Sequence, residues 1–236
     1  MNRAPVTAIM PVRDGEAYLA AALDSILGQS EPAAEVVVVD DGSVDRTPEI
    51  LAGYGDALRV LRQPHGGHAA AMNTGITAAR AEILAFLDAD DLWEPDALAV
   101  RLARLRQVDR PDIVAGHVVQ FVSPELDTSA ATSFHFDPRP TASGLFQASL
   151  IRRDVFTRVG LLDSTLPSAA NIDWMSRARF AGVRFATIDD VVARRRLHRS
   201  NMGVTMGAIR LKALTDVVRM HHERTRASTP PEGDNQ

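Results

Sequence analysis

The chain contains no cysteine, which excludes disulfide frameworks, thiolate zinc sites and cysteine nucleophiles. It also fits a reducing compartment, the cytoplasm by default, with a peripheral position on the inner face of a membrane left open. Nor is there an excess of positive charge. Lys and Arg number 26 against 30 Asp and Glu, a net charge of -4, so no global field draws in nucleic acid or anionic lipid, and any anion site has to be local. No apolar run approaches the roughly 18 to 20 residues that span a bilayer. The first apolar stretch, Val6 to Met10, is broken by Thr7 and is too brief for a secretory segment, so it reads as a strand. Gly-x-Gly-x-x-Gly and P-loop patterns are missing, and with them the familiar backbone cradles for phosphate. Aromatics make up only 5% of the residues. Of the two tryptophans, Trp93 is expected to pack in the core or at its rim, while Trp174 suits packing and a sugar face equally.

What is present is a substantial hydrophobic fraction, 45% of 236 residues, enough to build one sizeable domain. Short apolar runs alternate with segments of helical period, the signature of βα units around a mostly parallel sheet. Strands are predicted at Val6 to Met10, Glu35 to Asp40, Arg59 to Arg62, Ile83 to Leu87, Ile113 to Val122, Leu145 to Ile151, Val183 to Ile188 and Val191 to Leu197. The stripe Leu19, Leu23, Ile26 and Leu27 predicts the first helix, and Thr47 with Pro48 is expected to cap and open the second. Further helices are predicted over Ala69 to Ala79, from Pro95 to about Gln107, and over Asp154 to Val159, Ile172 to Ala181 and Ile209 to Met220. The Pro-, Ser-, Thr- and Asp-rich segment 123–143 has no period and reads as a long functional loop. Residues 223–236 read as a disordered tail.

Ligands of open α/β sheets sit beyond the carboxyl ends of the strands, and there this sequence is acidic. Asp40 and Asp41 follow EVVVV; Asp88, Asp90 and Asp91 follow ILAFL. Clustered carboxylates cost several kcal/mol each to bury unless a cation or hydrogen-bond donors compensate them. A hard divalent ion, Mn2+ or Mg2+, is the natural compensator. One acidic turn alone is as readily a plain polar turn, with Asp91 as a helix cap; two such turns after two buried strands favour a site.

These segments together resemble the family 2 glycosyltransferases, which have the GT-A fold. IMPVRDGEAYLAAALDSILGQS is similar to the family's first βα unit, and VVVVDDGSVDRTPEI to its second. GGHAAAMNTGI resembles its Gly-containing helix start, and FLDADDLWEPDAL the segment bearing its DXD motif. The resemblance runs from Ala8 to about Gly203. It implies a Rossmann-like, mostly parallel sheet flanked by helices, with a smaller acceptor-side elaboration. One domain over residues 1–222 would have a donor half to about residue 110 and an acceptor half from 111. The implied partner is a nucleotide diphosphate sugar donor, a UDP-sugar by preference, with an acceptor that sequence does not name. Pro11, Val12, Arg13 and Glu16 are expected to line the donor, Asp40 or Asp41 to bind the nucleobase, and Gly67 and Asn73 to occupy matching donor positions. In the DXD segment, Asp88 would lie near the ribose and Asp90 on the metal, with Ala89 between them. RRRLHRSN resembles a late Arg-x-His segment that would place His198 near the diphosphate or metal.

The chain also departs from the family. The family's general base is the Asp of an acidic pair six residues before an Arg, and Arg177 puts that position at Asn171, after Ala170. Asp173 is the nearest carboxylate and the expected base, although two residues along a helix turn a side chain by about 200°. A nucleotide-sugar-binding protein without turnover is therefore the competing expectation. His65 stands where the family often has Asn, and Met72 where it often has Arg. A phosphatase of the haloacid dehalogenase type would need Thr or Val where Leu92 stands. A sugar nucleotidyltransferase would need a Gly-rich basic loop where PVRDGE stands.

Overall fold

The computed structural model describes residues 3–126, 136–142, 146–166 and 169–199. The predicted helix Ile209 to Met220 and the tail after it lie outside the described residues. Along the chain come β1 (Ala4–Val12), α1 (Leu19–Leu27), β2 (Ala33–Asp40), α2 (Thr47–Gly53), β3 (Arg59–Arg62), α3 (His68–Ala78), β4 (Ile83–Phe86) and β5 (Leu92–Trp93). They are followed by α4 (Ala97–Leu105), β6 (Ile113–Val122), β7 (Thr141–Ala142), β8 (Ser149–Arg152), α5 (Asp154–Val159), α6 (Ala170–Phe180) and β9 (Phe185–Leu197).

The strands form one sheet in the order β3-β2-β1-β4-β8-β6-β9-β5, with β7 beside β6. The pairs β3/β2, β2/β1 and β1/β4 are parallel, and so is β6/β9; β8 runs antiparallel between β4 and β6. The run Val36 to Val39 and the whole of β4 are buried, as expected of strands covered on both faces. The pleat sorts their side chains. Ala8, Met10, Val38 and Ala85 face a core shared with Leu19, Leu23 and Ile26 of α1 and Leu98 and Leu102 of α4. Ile9, Leu84 and Phe86 face another core, with Met72 and Ile76 of α3 and Trp174 and Met175 of α6. The molecule is thus layered helix, sheet, helix. Gly75 lets α3 come down onto β1, because a Cβ at that position would collide with Ile9 Cγ2.

Several expectations need adjustment. The two strands expected over Val183 to Ile188 and Val191 to Leu197 form one long strand, β9, which begins at Phe185: register shifts against β6 around His117 absorb the exposed pair Asp189 and Asp190. Of the strand expected over Leu145 to Ile151, the described residues form a 3-10 turn, Phe146–Ala148, and the short β8. Thr47 opens α2 without capping it. Its hydroxyl accepts the Gly15 N–H at 2.8 Å, and its own N–H is taken by Asp45 at 2.9 Å. Pro95 precedes α4 by two residues, and its carbonyl accepts the Ser30 N–H instead. Both tryptophans are packing residues. Trp174 is fully buried, stacked on Phe156 with centroids 4.6 Å apart, and donates its indole N–H to Gly160 O. Trp93 is buried and donates to Gln147 O. Among the described residues no helix is long and apolar enough to cross a membrane.

Candidate functional site

The carboxyl ends of β1, β2 and β4 and the far end of β9 converge on a cavity of about 520 Å³. Pro11, Val12 and Arg13 line it from β1, Asp41 from β2, Asp88 to Asp91 from β4, and Arg195 and His198 from β9 and the residue after it. Tyr18, His65 and His68 complete the wall. The parallel strands alone bring the first three groups together, since each turn leaves its strand on the same edge of the sheet.

Asp88, Asp90 and Asp91 each offer a carboxylate oxygen within 4.8 Å of the others. Burial, followed by the charges of Asp90 and Asp88, pushes the Asp91 pKa well above the usual carboxylate value. Such a cluster lacks positive charge, and its donors are hard oxygens, so the residues fit Mn2+ or Mg2+. Two histidines of the protein hydrogen-bond to it. His68 Nε2 lies 2.9 Å from Asp88 Oδ1, and His198 Nε2 lies 2.9 Å from Asp90 Oδ2. Burial opposes ionisation of both His68 and Asp88, yet their mutual hydrogen bond and charges leave His68 with a raised pKa and Asp88 with a lowered one. Asp91 is no helix cap. It is buried and accepts the Arg196 N–H at 2.9 Å, which ties the turn after β4 to β9.

The arginine run splits as strand alternation requires. Arg195 reaches the cavity, whereas Arg194 and Arg196 both lie over the Phe121 ring. Arg196 also stacks on Tyr18, whose ring lies 4.7 Å from that of His198. Tyr18 in turn donates its hydroxyl to Glu125. His68, Tyr18 and Arg196 were not singled out from sequence as site residues. The available signal was position: His68 opens α3 directly after the Gly66-Gly67 turn, on the edge where the acidic turns lie.

Five expected residues do not line the cavity. Glu16 and Asp40 stitch loops together: Glu16 Oε2 accepts Arg46 N–H at 3.2 Å, while Asp40 accepts Ser43 N–H at 2.8 Å and pairs with Arg62. Gly67 has φ +90° and donates its N–H to Asp41 at 2.8 Å. Asn73 clamps the backbone of Leu162 through both amide atoms, at 2.8 and 2.9 Å. Asp173 is buried in α6 and bound to Arg177 Nε at 2.8 Å; Arg177 also donates to Val159 O and Leu161 O. Asn171 Oδ1 is buried without a hydrogen-bond partner.

Comparison with known proteins places this arrangement. Solved structures with a similar fold include the GT-A glycosyltransferases S. aureus TarS, with a TM-score of 0.69, 20% identity and coverage of 92% of this chain and 38% of that one, and PcManGT of Pyrobaculum calidifontis, a mannosyltransferase solved with GDP-Man and Mn2+, at 0.66, 22%, 97% and 66%. The model of glycosyl transferase family 2 matches residues 7–159, and the chain belongs to that family. An uncharacterised glycosyltransferase of Rickettsia typhi is 29% identical over 206 residues. The chain spans 64% of that relative and 34% of a longer Rickettsia felis one.

Proposed function

We propose that this chain is a metal-dependent, inverting glycosyltransferase that moves a sugar from a nucleotide diphosphate sugar, by preference a UDP-sugar, to an acceptor hydroxyl. The observation that carries the reading is the three-carboxylate cluster at the end of β4, in a cavity shared with Arg13, Arg195 and His198. Family membership and the nucleotide-bound relatives of this fold support it: TarS solved with UDP and with UDP-GlcNAc, and PcManGT with GDP-Man.

The carboxylates would hold the ion, with Asp90 as the principal ligand and His198 oriented beside it. When bound, the ion supplies a Lewis acid that stabilises charge developing on the departing diphosphate. Arg13 and Arg195 add fixed positive charge at the same cavity, while Pro11, Val12 and Ala89 give it apolar wall. Asp173 is the proposed general base. To take the acceptor proton it has to exchange its bond to Arg177 for one to the acceptor hydroxyl.

The buried, unpartnered Asn171 Oδ1 and the absence of Asp173 from the cavity wall favour a second reading, a protein that binds the donor without turning it over. Transfer and donor hydrolysis measured with Mn2+ across nucleotide sugars and an acceptor panel decide between the two. Turnover that falls at least about 100-fold in Asp173→Asn, with donor affinity kept, supports the base. Unchanged turnover in that variant removes Asp173 from the chemistry, and tight binding with no turnover in the wild type selects the second reading.

A further inference from the structure

The opposite edge of the sheet carries a second cavity, of about 810 Å³, which shares no described lining residue with the donor cavity. Strand direction builds it. β4, β6 and β9 all begin at this edge, and β8, which runs antiparallel between β4 and β6, ends there. The end of β8 therefore delivers Arg152 and Arg153 beside Arg110, which precedes β6, and Arg184, which precedes β9. Backbone bonds tie these segments into one frame: Arg152 N–H donates to Asp112 O at 3.0 Å, Asp112 N–H to Arg184 O at 2.9 Å, and Arg153 N–H to Glu82 O at 2.8 Å.

Three acids, Glu82, Asp112 and Asp154, also line this cavity, and two of them are engaged. Asp112 accepts Arg184 through both oxygens, at 3.3 and 3.4 Å, and pairs with Arg158 at 3.3 Å; Arg158 also reaches Asp154 at 3.9 Å. Arg152 and Arg153 are held differently, by carbonyls. Arg152 donates from Nε to Pro111 O at 3.1 Å and from Nη2 to Leu105 O at 3.0 Å, and Arg153 from Nη1 to Ala79 O at 3.0 Å. A carbonyl orients a guanidinium without cancelling its charge, and a guanidinium has five N–H donors to place. Arg110 takes a left-handed φ of +42°, and among the described residues its side chain has no hydrogen bond or ion pair. Three guanidiniums thus keep their charge and unused donors, and of the described acids on this wall Glu82 is left to face them. In a chain of net charge -4 this is a local surplus of positive charge in a concavity, a setting that concentrates anions.

We propose that this cavity is a second anion site, which takes a ligand carrying two or more phosphate groups. Planar guanidinium forks match phosphate oxygens in paired bonds, and three of them around one cavity exceed what a single phosphate needs. Ile76, Phe156 and Leu161 add apolar surface to the same wall, so the phosphates can come attached to a carbon skeleton. That chemistry has two sources, a soluble polyphosphate ester or the headgroups of an anionic phospholipid surface. The site goes beyond the transferase reading and does not depend on it.

The test titrates the full chain with tripolyphosphate by calorimetry in EDTA, so that no divalent ion recruits the anion to the β4 carboxylates. Arg110→Asn and Arg153→Gln are the cavity variants: Asn tolerates a left-handed backbone, and both arginines are exposed, so melting temperatures without ligand should match the wild type. Arg46→Gln removes the same charge from an exposed position before α2, and Arg195→Gln removes a cation of the donor cavity. The wild type is expected to bind one equivalent. Each cavity variant should bind at least about tenfold more weakly, the scale of one charge-assisted hydrogen bond, while Arg46→Gln and Arg195→Gln stay within about twofold of wild type. Flotation with phosphatidylglycerol vesicles, against phosphatidylcholine vesicles, assigns the source. Flotation that the cavity variants lose points to lipid, and tripolyphosphate binding without flotation points to a soluble ester. Binding to neither probe, binding that both cavity variants keep, or an equal loss in Arg46→Gln or Arg195→Gln overturns the proposal.

Discussion

Asp41 shows how a single carboxylate can organise a turn. Four donors from three consecutive turn residues and Gln63 converge on it, so Asp41→Asn, which keeps one acceptor oxygen and adds an unwanted donor, is expected to destabilise the fold by about 3 kcal/mol. The pH dependence follows from the direction of its shift. The folded pKa is lowered, so the stabilisation is fully present above the ordinary Asp range, near about pH 4, and is lost as pH falls through the folded value. Urea denaturation of wild type and variant at pH 7 and at about pH 3 should show the gap narrowing in acid; a constant gap contradicts the assignment. His198 makes a second case. Its ring is held between Tyr18 and Asp90, so His198→Ala is expected to weaken Mn2+ binding about 10- to 100-fold, as seen by electron paramagnetic resonance of the free ion. An unchanged affinity would separate His198 from the ion site.

At the scale of elements, the buried strands were legible because β-branched runs without alternation leave few choices. Their turns were legible as acidic, and for Asp41, Asp88 and Asp90 that led to the cavity. Glu16, Asp40 and Asn73 were harder, because their partners, Arg46, Ser43 and Leu162, sit on other loops, and the fold alone brings those donors within reach. Arg101 of α4 is another residue whose setting only the fold reveals. Its guanidinium is fully buried, stacked on Trp93 at 5.0 Å, and bonded only through Nε to Ala97 O, with Nη1 and Nη2 unpartnered. Burial pushes its pKa down to about 9, which still leaves it charged at neutral pH. Replacing such a charge with an apolar chain of similar length removes a desolvation penalty, so Arg101→Met is expected to raise stability by about 1 to 2 kcal/mol after loss of the ring contact. A lower denaturation midpoint would show that the stacking outweighs the penalty.

Across the whole molecule, the parallel half of the sheet gathers acids at one edge, and β9 returns cations to the same place, over a hundred residues later in the chain. Arg196 N–H on Asp91, Arg196 Nε–H on the Asp90 carbonyl and His198 on the Asp90 carboxylate help to close this circuit. The acceptor side was less legible, since the residues after β6 carry no hydrophobic period and Asn171 stands where the family resemblance leads one to expect the general base. The central claim is that the β4 carboxylates bind a divalent ion together with a nucleotide diphosphate. It is tested most directly by the thermal shift of wild type and Asp90→Ala with UDP-sugars and GDP-sugars, with and without Mn2+. The predicted result is a rise in melting temperature of the wild type that requires both nucleotide and Mn2+ and is lost in Asp90→Ala. A metal-dependent rise of the same size in the variant, or no rise with any nucleotide in the wild type, would contradict it.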